Sequence, residues 1–424
     1  MTLNRTLFAQ ATAAFVAAAA CTLTGAQTSE YQRHLDAATL NAGKDPFFTG
    51  TLRPQWCWSA EHPTAPPELQ DRALEPLTQI FDDLWYVGPR WVGQYIIKTS
   101  GGFFLIDTLN NTGEAQSITV PALQTLGLGA NLPLLGAMPT HGHGDHFGGA
   151  AYLQTTYGIP IYLGSADAAG KPFVVTPLNS ANLQPQSLQL PDRTLTLLST
   201  PGHTPGTFSG VVPVRQDGNA YKLAFWGGTG MPTTLAPARQ YLDGAERLYA
   251  LARDQNVDGT MHTHPFVDGS LQHIDSIQAS GRADNPFLLG NAQALRSLAI
   301  LRECAAAKVA QLDATALIPE WRVTTVEFLE GGPTPVSMSA RVRSGWGPVQ
   351  GQQVTFSVGE SGAACVATTD ASGVATCNSL PRPLRPGKDV VRASYAGWVS
   401  QSYVDLPSTS SQTLTAPGLI RAGK

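Results

Sequence analysis

The chain has 424 residues, of which 14% are charged, with 27 Lys and Arg against 31 Asp and Glu and a formal net charge of -4. That length exceeds one ordinary core and allows two domains. The basic residues are scattered and form no stripe able to neutralise a run of phosphates, so nucleic acid is not expected as a partner.

In chain order, Arg5 precedes an apolar run from Leu7 to Ala20 and a small-residue exit at Thr24-Gly25-Ala26, the layout of a secretory signal over residues 1–26. The run is shorter than the roughly 20 residues a membrane helix needs. Ala18-Ala19-Ala20-Cys21 partly matches a lipoprotein cleavage box, so a lipid anchor on Cys21 is the alternative. Either reading places the mature protein outside the cytoplasm, in a bacterial periplasm or secreted, with no membrane span. Residues 27–78 read as an N-terminal extension.

From Phe81, three β-type runs follow, Leu84–Val87, Gly93–Thr99 and Phe103–Asp107, with Ser100-Gly101-Gly102 as a turn. A helical segment near Ala115 to Leu126, a strand starting near Leu132, a His-rich loop, a helix and the strand Ile159–Leu163 come next. Strands Thr194–Ser199, Phe208–Val214 and Tyr221–Trp226 follow. Helical patterns over 242–253 and 291–312 flank a short strand, Gly259–His264. The layout predicts an α+β fold over 79–318, two mixed sheets covered by helices.

After Glu320 the helical period ends, and short alternating runs with Gly and Pro turns predict a β-sandwich over 319–406. The Ser/Thr/Gly-rich residues 407–424 are expected to be a flexible tail. Cys365 and Cys377 are symmetric about Ala371 and suit a cross-strand disulfide in a hairpin turning at Asp370–Gly373. Cys57 and Cys304 either pair with one another or stay as buried thiols.

The densest chemistry lies in His141-Gly-His143-Gly-Asp145-His146. In an extended segment His141 and His143 face the same way and can share one ion, while Asp145 and His146, turning into the helix, face a second position. Imidazole and carboxylate ligands suit Zn²⁺, with iron or manganese as alternatives. His203, between glycine- and proline-rich flanks, and His264, ending its strand before Pro265, sit on further loops after strands. His262 faces the same way as His264 and is expected to lie behind it. His34, His62 and His273 stand alone and read as ordinary polar residues.

This set, His141-x-His143-x-Asp145-His146, then Gly202-His203-Thr204-Pro205-Gly206, then His264-Pro265, resembles the metallo-β-lactamase superfamily over about Gln79 to Leu312, most closely the third subclass of class B β-lactamases. The resemblance implies a four-layer αββα sandwich and two Zn²⁺ per chain, one held by His141, His143 and His203, the other by Asp145, His146 and His264. It implies hydrolysis of a small molecule, a β-lactam or another cyclic amide or ester, by a hydroxide that the metals supply and Asp145, as catalytic residue, orients. Where glyoxalase-type, lactonase and persulfide dioxygenase branches carry an aspartate, this chain has Gly227-Gly228, which also removes the serine of the lactamase subclass; Gly230 replaces another polar position. A same-fold hydrolase of a non-antibiotic ester or amide, and a periplasmic or surface binding protein with structural metal, stay as alternatives. The span Gly347 to Gly397 is similar to bacterial immunoglobulin-like modules of the invasin type, which act as spacers or contact protein or cell-surface partners.

Overall fold

Successive side chains of one strand enter two different cores. Phe104 and Ile106 pack with Leu195, Leu197, Phe208, Val212 and Leu223 between two sheets, whereas Phe103 and Leu105 pack outward against Leu123, Ala150 and Leu153. This alternation of period two, buried on both faces, forces helices over the outside of each sheet. The computed structural model describes residues 29–329, 337–359, 363–378, 380, 382–385 and 387–413. The expected signal, Cys21 and residues 414–424 of the expected tail lie outside them.

The first sheet runs in chain order through β1 (Leu74–Phe81), β2 (Leu84–Pro89), β3 (Gln94–Thr99), β4 (Gly102–Ile106), β5 (Leu134–Met138), β6 (Ile161–Gly164) and β7 (Val175–Leu178). It is antiparallel from β1 to β4 and parallel from β4 to β7. The second contains β8 (Gln186–Leu190), β9 (Arg193–Ser199), β10 (Phe208–Gln216), β11 (Asn219–Phe225) and β12 (Gly259–Met261), ordered β12-β11-β10-β9-β8. The helices are α1 (Glu30–Ala42), α2 (Arg53–Glu61), α3 (Thr112–Glu114), α4 (Val120–Thr125), α5 (Gly144–Phe147), α6 (Ala150–Tyr157), α7 (Leu235–Asp254), α8 (Ser270–Ser280) and α9 (Asn291–Leu312). Leu198, Val211 and Ala224 of the second sheet pack with Leu35, Trp56, Leu248 and Ala305 of α1, α2, α7 and α9. The layers are therefore α, β, β, α.

The N-terminal segment is part of this architecture. β1 begins at Leu74, before the expected start at 79, and α1 and α2 complete the outer helical layer. Ser29 caps α1 by accepting from Gln32 N–H at 3.2 Å. Cys57 of α2 is bonded to Cys304 of α9, with Cα atoms 4.7 Å apart.

The C-terminal region is all β: β13 (Glu320–Arg322), β14 (Thr324–Phe328), β15 (Met338–Ser344), β16 (Gly347–Pro348), β17 (Gln353–Val358), β18 (Ala363–Thr368), β19 (Val374–Cys377), β20 (Val390–Tyr395), β21 (Trp398–Val399), β22 (Tyr403–Asp405) and β23 (Ser408–Thr413). Two sheets, β14-β15-β16 with β19 on β15, and β18-β17-β20-β23, enclose Met338, Val342, Phe356, Val391 and Tyr395. Two expectations are corrected here. β18 and β19 are not hairpin partners: β18 pairs with β17 and β19 with β15, so the Cys365–Cys377 disulfide joins opposite sheets. A tight turn at Asp370–Gly373, where Gly373 has φ 78°, serves an arch between sheets as well as a hairpin, and symmetric cysteine spacing cannot tell them apart. Nor are residues 408–413 a flexible tail: they pair with β20 from Tyr395↔Ser408 to Val390↔Thr413. Polar Ser and Thr suit an outer strand, because an open sheet edge needs only backbone partners.

The Cys57–Cys304 bridge spans 247 residues, and a cross-link over so long a loop stabilises by about 2–5 kcal/mol. Replacing both cysteines by alanine is expected to lower the free energy of unfolding by that amount in chemical denaturation, with the α1, α2 and α9 layer loosening first in hydrogen exchange.

Candidate metal centre

The His-rich loop leaves β5 and enters α5. His143 is extended at φ -88° and ψ 150°, and Gly144 starts the helix, so the backbone turns between the first pair of imidazoles and Asp145-His146. The loop is laced to the end of β4: Thr108 N–H donates to His146 O at 2.8 Å, and Gly148 N–H to Leu109 O at 2.9 Å. A Cβ on Gly148 would lie 2.0 Å from the Asn110 carbonyl carbon, so only glycine permits this approach. Asp107 and Leu109 take left-handed φ of 64° and 62°, backbone states that L residues adopt at a cost of about 1–3 kcal/mol.

Three ring nitrogens converge in the first group. His141 Nε2 lies 3.1 Å from His143 Nδ1, and His203 Nε2 lies 3.1 Å and 3.0 Å from those two. The second group is His146 Nε2 and His264 Nε2 at 3.2 Å, with Asp145 Oδ2 at 3.5 Å and 3.6 Å from them. At three of the five imidazoles the opposite ring nitrogen has a partner of its own, which leaves the inward nitrogen free to accept. His203 Nδ1 donates to Gly230 O at 2.7 Å, His264 Nδ1 to Trp91 O at 2.6 Å, and His146 Nδ1 faces Asp107 Oδ2 at 2.5 Å. With Nδ1 protonated, each Nε2 presents a lone pair inward. Burial pulls His203 and His264 down to about 4 and His141 well below its ordinary value, so these three are neutral near pH 7. Burial also pulls His146 down, but the charge and hydrogen bond of Asp107 outweigh it and raise the net value.

Both donor sets fit a divalent cation: three imidazoles in one, two imidazoles and a carboxylate in the other. His262 is in neither group. Its Nδ1 accepts the His264 backbone N–H at 2.9 Å and its ring lies edge-on to Trp56. His34 is buried against Glu303 at 2.7 Å, His273 sits between Phe47 and Phe287, and His62 stacks on Trp58 at the cleft wall.

Two supporting carboxylates escaped sequence reasoning. Asp107, fully buried, accepts from Thr140 N–H at 2.7 Å besides facing His146. Its signal was an acid ending the apolar run Phe103–Ile106. Asp167 had no local signal, yet it accepts from Gly142 N–H at 2.7 Å, Thr204 Oγ1–H at 2.6 Å and Gly206 N–H at 2.9 Å. It thus ties the loop of His141 and His143 to the loop of His203.

The metal groups lie in a cleft of about 550 Å³ walled by Trp58, Trp91, Met231 and Phe266, among others. Residues 55–69 supply much of one wall. Asp167→Ala should weaken metal binding at the three-histidine group by roughly 10–100-fold, the usual effect of removing an outer hydrogen-bond partner. A zinc titration against a competing chelator measures it, and the two-histidine group should change less.

The sequence family described as the Metallo-beta-lactamase superfamily matches residues 92–216. No curated protein sequence matches the chain. Among solved structures, similarity extends to a subclass B3 metallo-beta-lactamase of Bradyrhizobium japonicum, 24% identical over 57% of this chain and 94% of that chain, with TM-score 0.43. A metallo-beta-lactamase of Cronobacter sakazakii is 23% identical over 56% and 96%, TM-score 0.45. The MIM-1 metallo-beta-lactamase of Novosphingobium pentaromativorans is 19% identical over 62% and 100%, TM-score 0.46. The family match over 92–216 and the α, β, β, α order of the layers identify the fold as that of the metallo-beta-lactamase superfamily, followed by an all-β C-terminal region.

Proposed function

We propose that this chain is a binuclear zinc hydrolase that opens a cyclic amide, with a β-lactam as the leading substrate class. The observation that carries the reading is the pair of three-donor groups, side by side and opening on one cleft. A structural zinc is closed by four protein ligands, whereas three leave a position for water or substrate. His141, His143 and His203 would hold one ion and Asp145, His146 and His264 the other. When bound, the metals supply Lewis acidity and lower the pKa of water toward about 7.

The protein's own groups do the rest. Gly230 O, Trp91 O and Asp107 fix the imidazole tautomers before any ion arrives, so ligand geometry needs little reorganisation. Burial pushes the Asp145 carboxyl up, but His146 and His264 bring it below its ordinary value, so it is ionised at neutral pH. It can then accept a hydrogen bond from the attacking water and aim it. The Trp58, Trp91 and Phe266 faces exclude bulk water from one side and seat an apolar ring.

A hydrolase of the same fold acting on a non-lactam ester or amide is the second reading, favoured by the lack of a polar side chain at Gly227, Gly228 and Gly230. Export of the chain is supported by its two disulfides. Among the described residues no helix is long and apolar enough to cross a membrane. We assign the all-β region a spacer or stabilising role.

Zinc-loaded protein is expected to bind two metal equivalents and to hydrolyse nitrocefin, with turnover abolished by chelator and restored by zinc. Asp145→Asn should cut kcat by at least about 100-fold and bind one equivalent; full activity in that variant would sink the assignment. Two equivalents without lactam turnover, but with ester turnover, would select the second reading.

A further inference from the structure

Charge is sparse around the cleft. Apart from the ligand Asp145, its walls carry one formally charged side chain, Lys308 of α9. Lys308 is partly buried, and burial with no opposing carboxylate holds its amine below the ordinary lysine value. Its Nζ donates to Gln311 Oε1 at 2.8 Å, and Gln311 Nε2 donates in turn to Ala60 O at 3.1 Å. The ammonium is therefore held by α9 and the end of α2, the two helices that the Cys57–Cys304 bond clamps together. An ammonium has three donors, and Gln311 takes one.

Behind the wall residues Thr229 and Gly230 the chain is buried, neutral and closely packed. A Cβ on Gly227 would lie 1.9 Å from Phe208 O, and one on Gly228 would lie 2.5 Å from His203 Cβ. A side chain at 227 would meet the Phe208 carbonyl and one at 228 the His203 side chain, so neither position can present a charged or polar group without moving them. Thr229 and Thr233 offer hydroxyls only. Among the side chains that line this cleft, a substrate anion meets one cationic group, on α9, besides the ions that the donor groups would hold.

We propose that Lys308 is the anion-recognition residue of the cleft and sets a preference for substrates bearing one carboxylate, held on the α9 side while the scissile carbonyl lies over the two ligand groups. The inference rests on the hydrolase reading above. A monoanion fits better than a phosphate, since a dianion ordinarily takes more donors than one ammonium on an otherwise neutral and aromatic wall.

Two probe pairs, each differing only in the carboxylate, test it on zinc-loaded full-length protein: nitrocefin with its methyl ester, and mono-p-nitrophenyl succinate with its methyl ester. A charge-assisted contact of this kind corresponds to roughly 10- to 100-fold in affinity. Lys308→Met is expected to lower the acid-to-ester ratio of kcat/KM by that factor, mainly through KM. Lys308→Arg should retain most of the preference, which separates lost recognition from a damaged fold, and zinc content is measured for each variant. An unchanged ratio in Lys308→Met, or an equal fall for acid and ester, overturns the role of Lys308 while leaving the hydrolase reading intact. If the wild type turns over none of the four probes, the hydrolase reading falls and this inference with it.

Discussion

His203, whose Nδ1 donates to Gly230 O, aims its Nε2 lone pair at two other imidazole nitrogens. Bringing such lone pairs to about 3 Å is unfavourable, since a buried polar atom without a partner costs about 1–3 kcal/mol. The rest of the fold supplies what is needed to hold them there. Two sheets sharing the core around Phe104, Phe208 and Leu223 set the positions of the strand ends. Asp167 then binds the His141–His146 loop to the His203 loop through three donors, and Asp107 binds the His141–His146 loop, through Thr140 and His146, to the end of β4. A cation that binds these lone pairs removes the penalty, so occupancy and folding stability are thermodynamically linked.

Histidines 141, 143, 146, 203 and 264 were legible because ligand-type residues crowd onto loops that follow apolar runs, a density no packing need explains. The inner strands of both sheets were legible for the related reason that runs such as Phe103–Ile106 and Phe208–Val214 are strongly apolar, whereas β1, β7 and β8 at the outer part of each sheet went unread. What escaped depends on partners remote in sequence. Asp167 works through Gly142, Thr204 and Gly206, none of which is near it in the chain. The strand partners of Cys365 and Cys377 are chosen by the two sheets they join, which local symmetry cannot reveal. Ser408–Thr413 reads as linker by composition, yet its backbone completes a sheet edge. The helices α1 and α2 were hidden by their modest apolar contrast, although they bury Leu35 and Trp56.

The glycines at 227 and 228 look, in sequence, like the loss of functional side chains. In space they are the consequence of close packing, since the end of β11 passes directly against Phe208 and His203. An aspartate or serine at 227 would press on the Phe208 carbonyl, and one at 228 on the His203 side chain. The cleft is instead differentiated on its far side, by residues 55–69 and α9. Five of the six donors thus lie inside the matched segment 92–216, whereas His264 and the cleft wall from residues 55–69 and α9 lie on either side of it.

That division also sets an order on a ribosome. Leu35, Trp56 and Cys57 emerge early, but their counterpart Cys304 is made 247 residues later, roughly 12–50 s at about 5–20 residues per second. Throughout that interval the apolar faces of α1 and α2 have no native covering from α9, while the histidine loop and the strands of both sheets, down to Met261, are made before α9 begins at Asn291. Until α9 is made, the faces of α1 and α2 that bear Leu35 and Trp56 lack their native cover, so the outer helical layer is the last part of this fold to close.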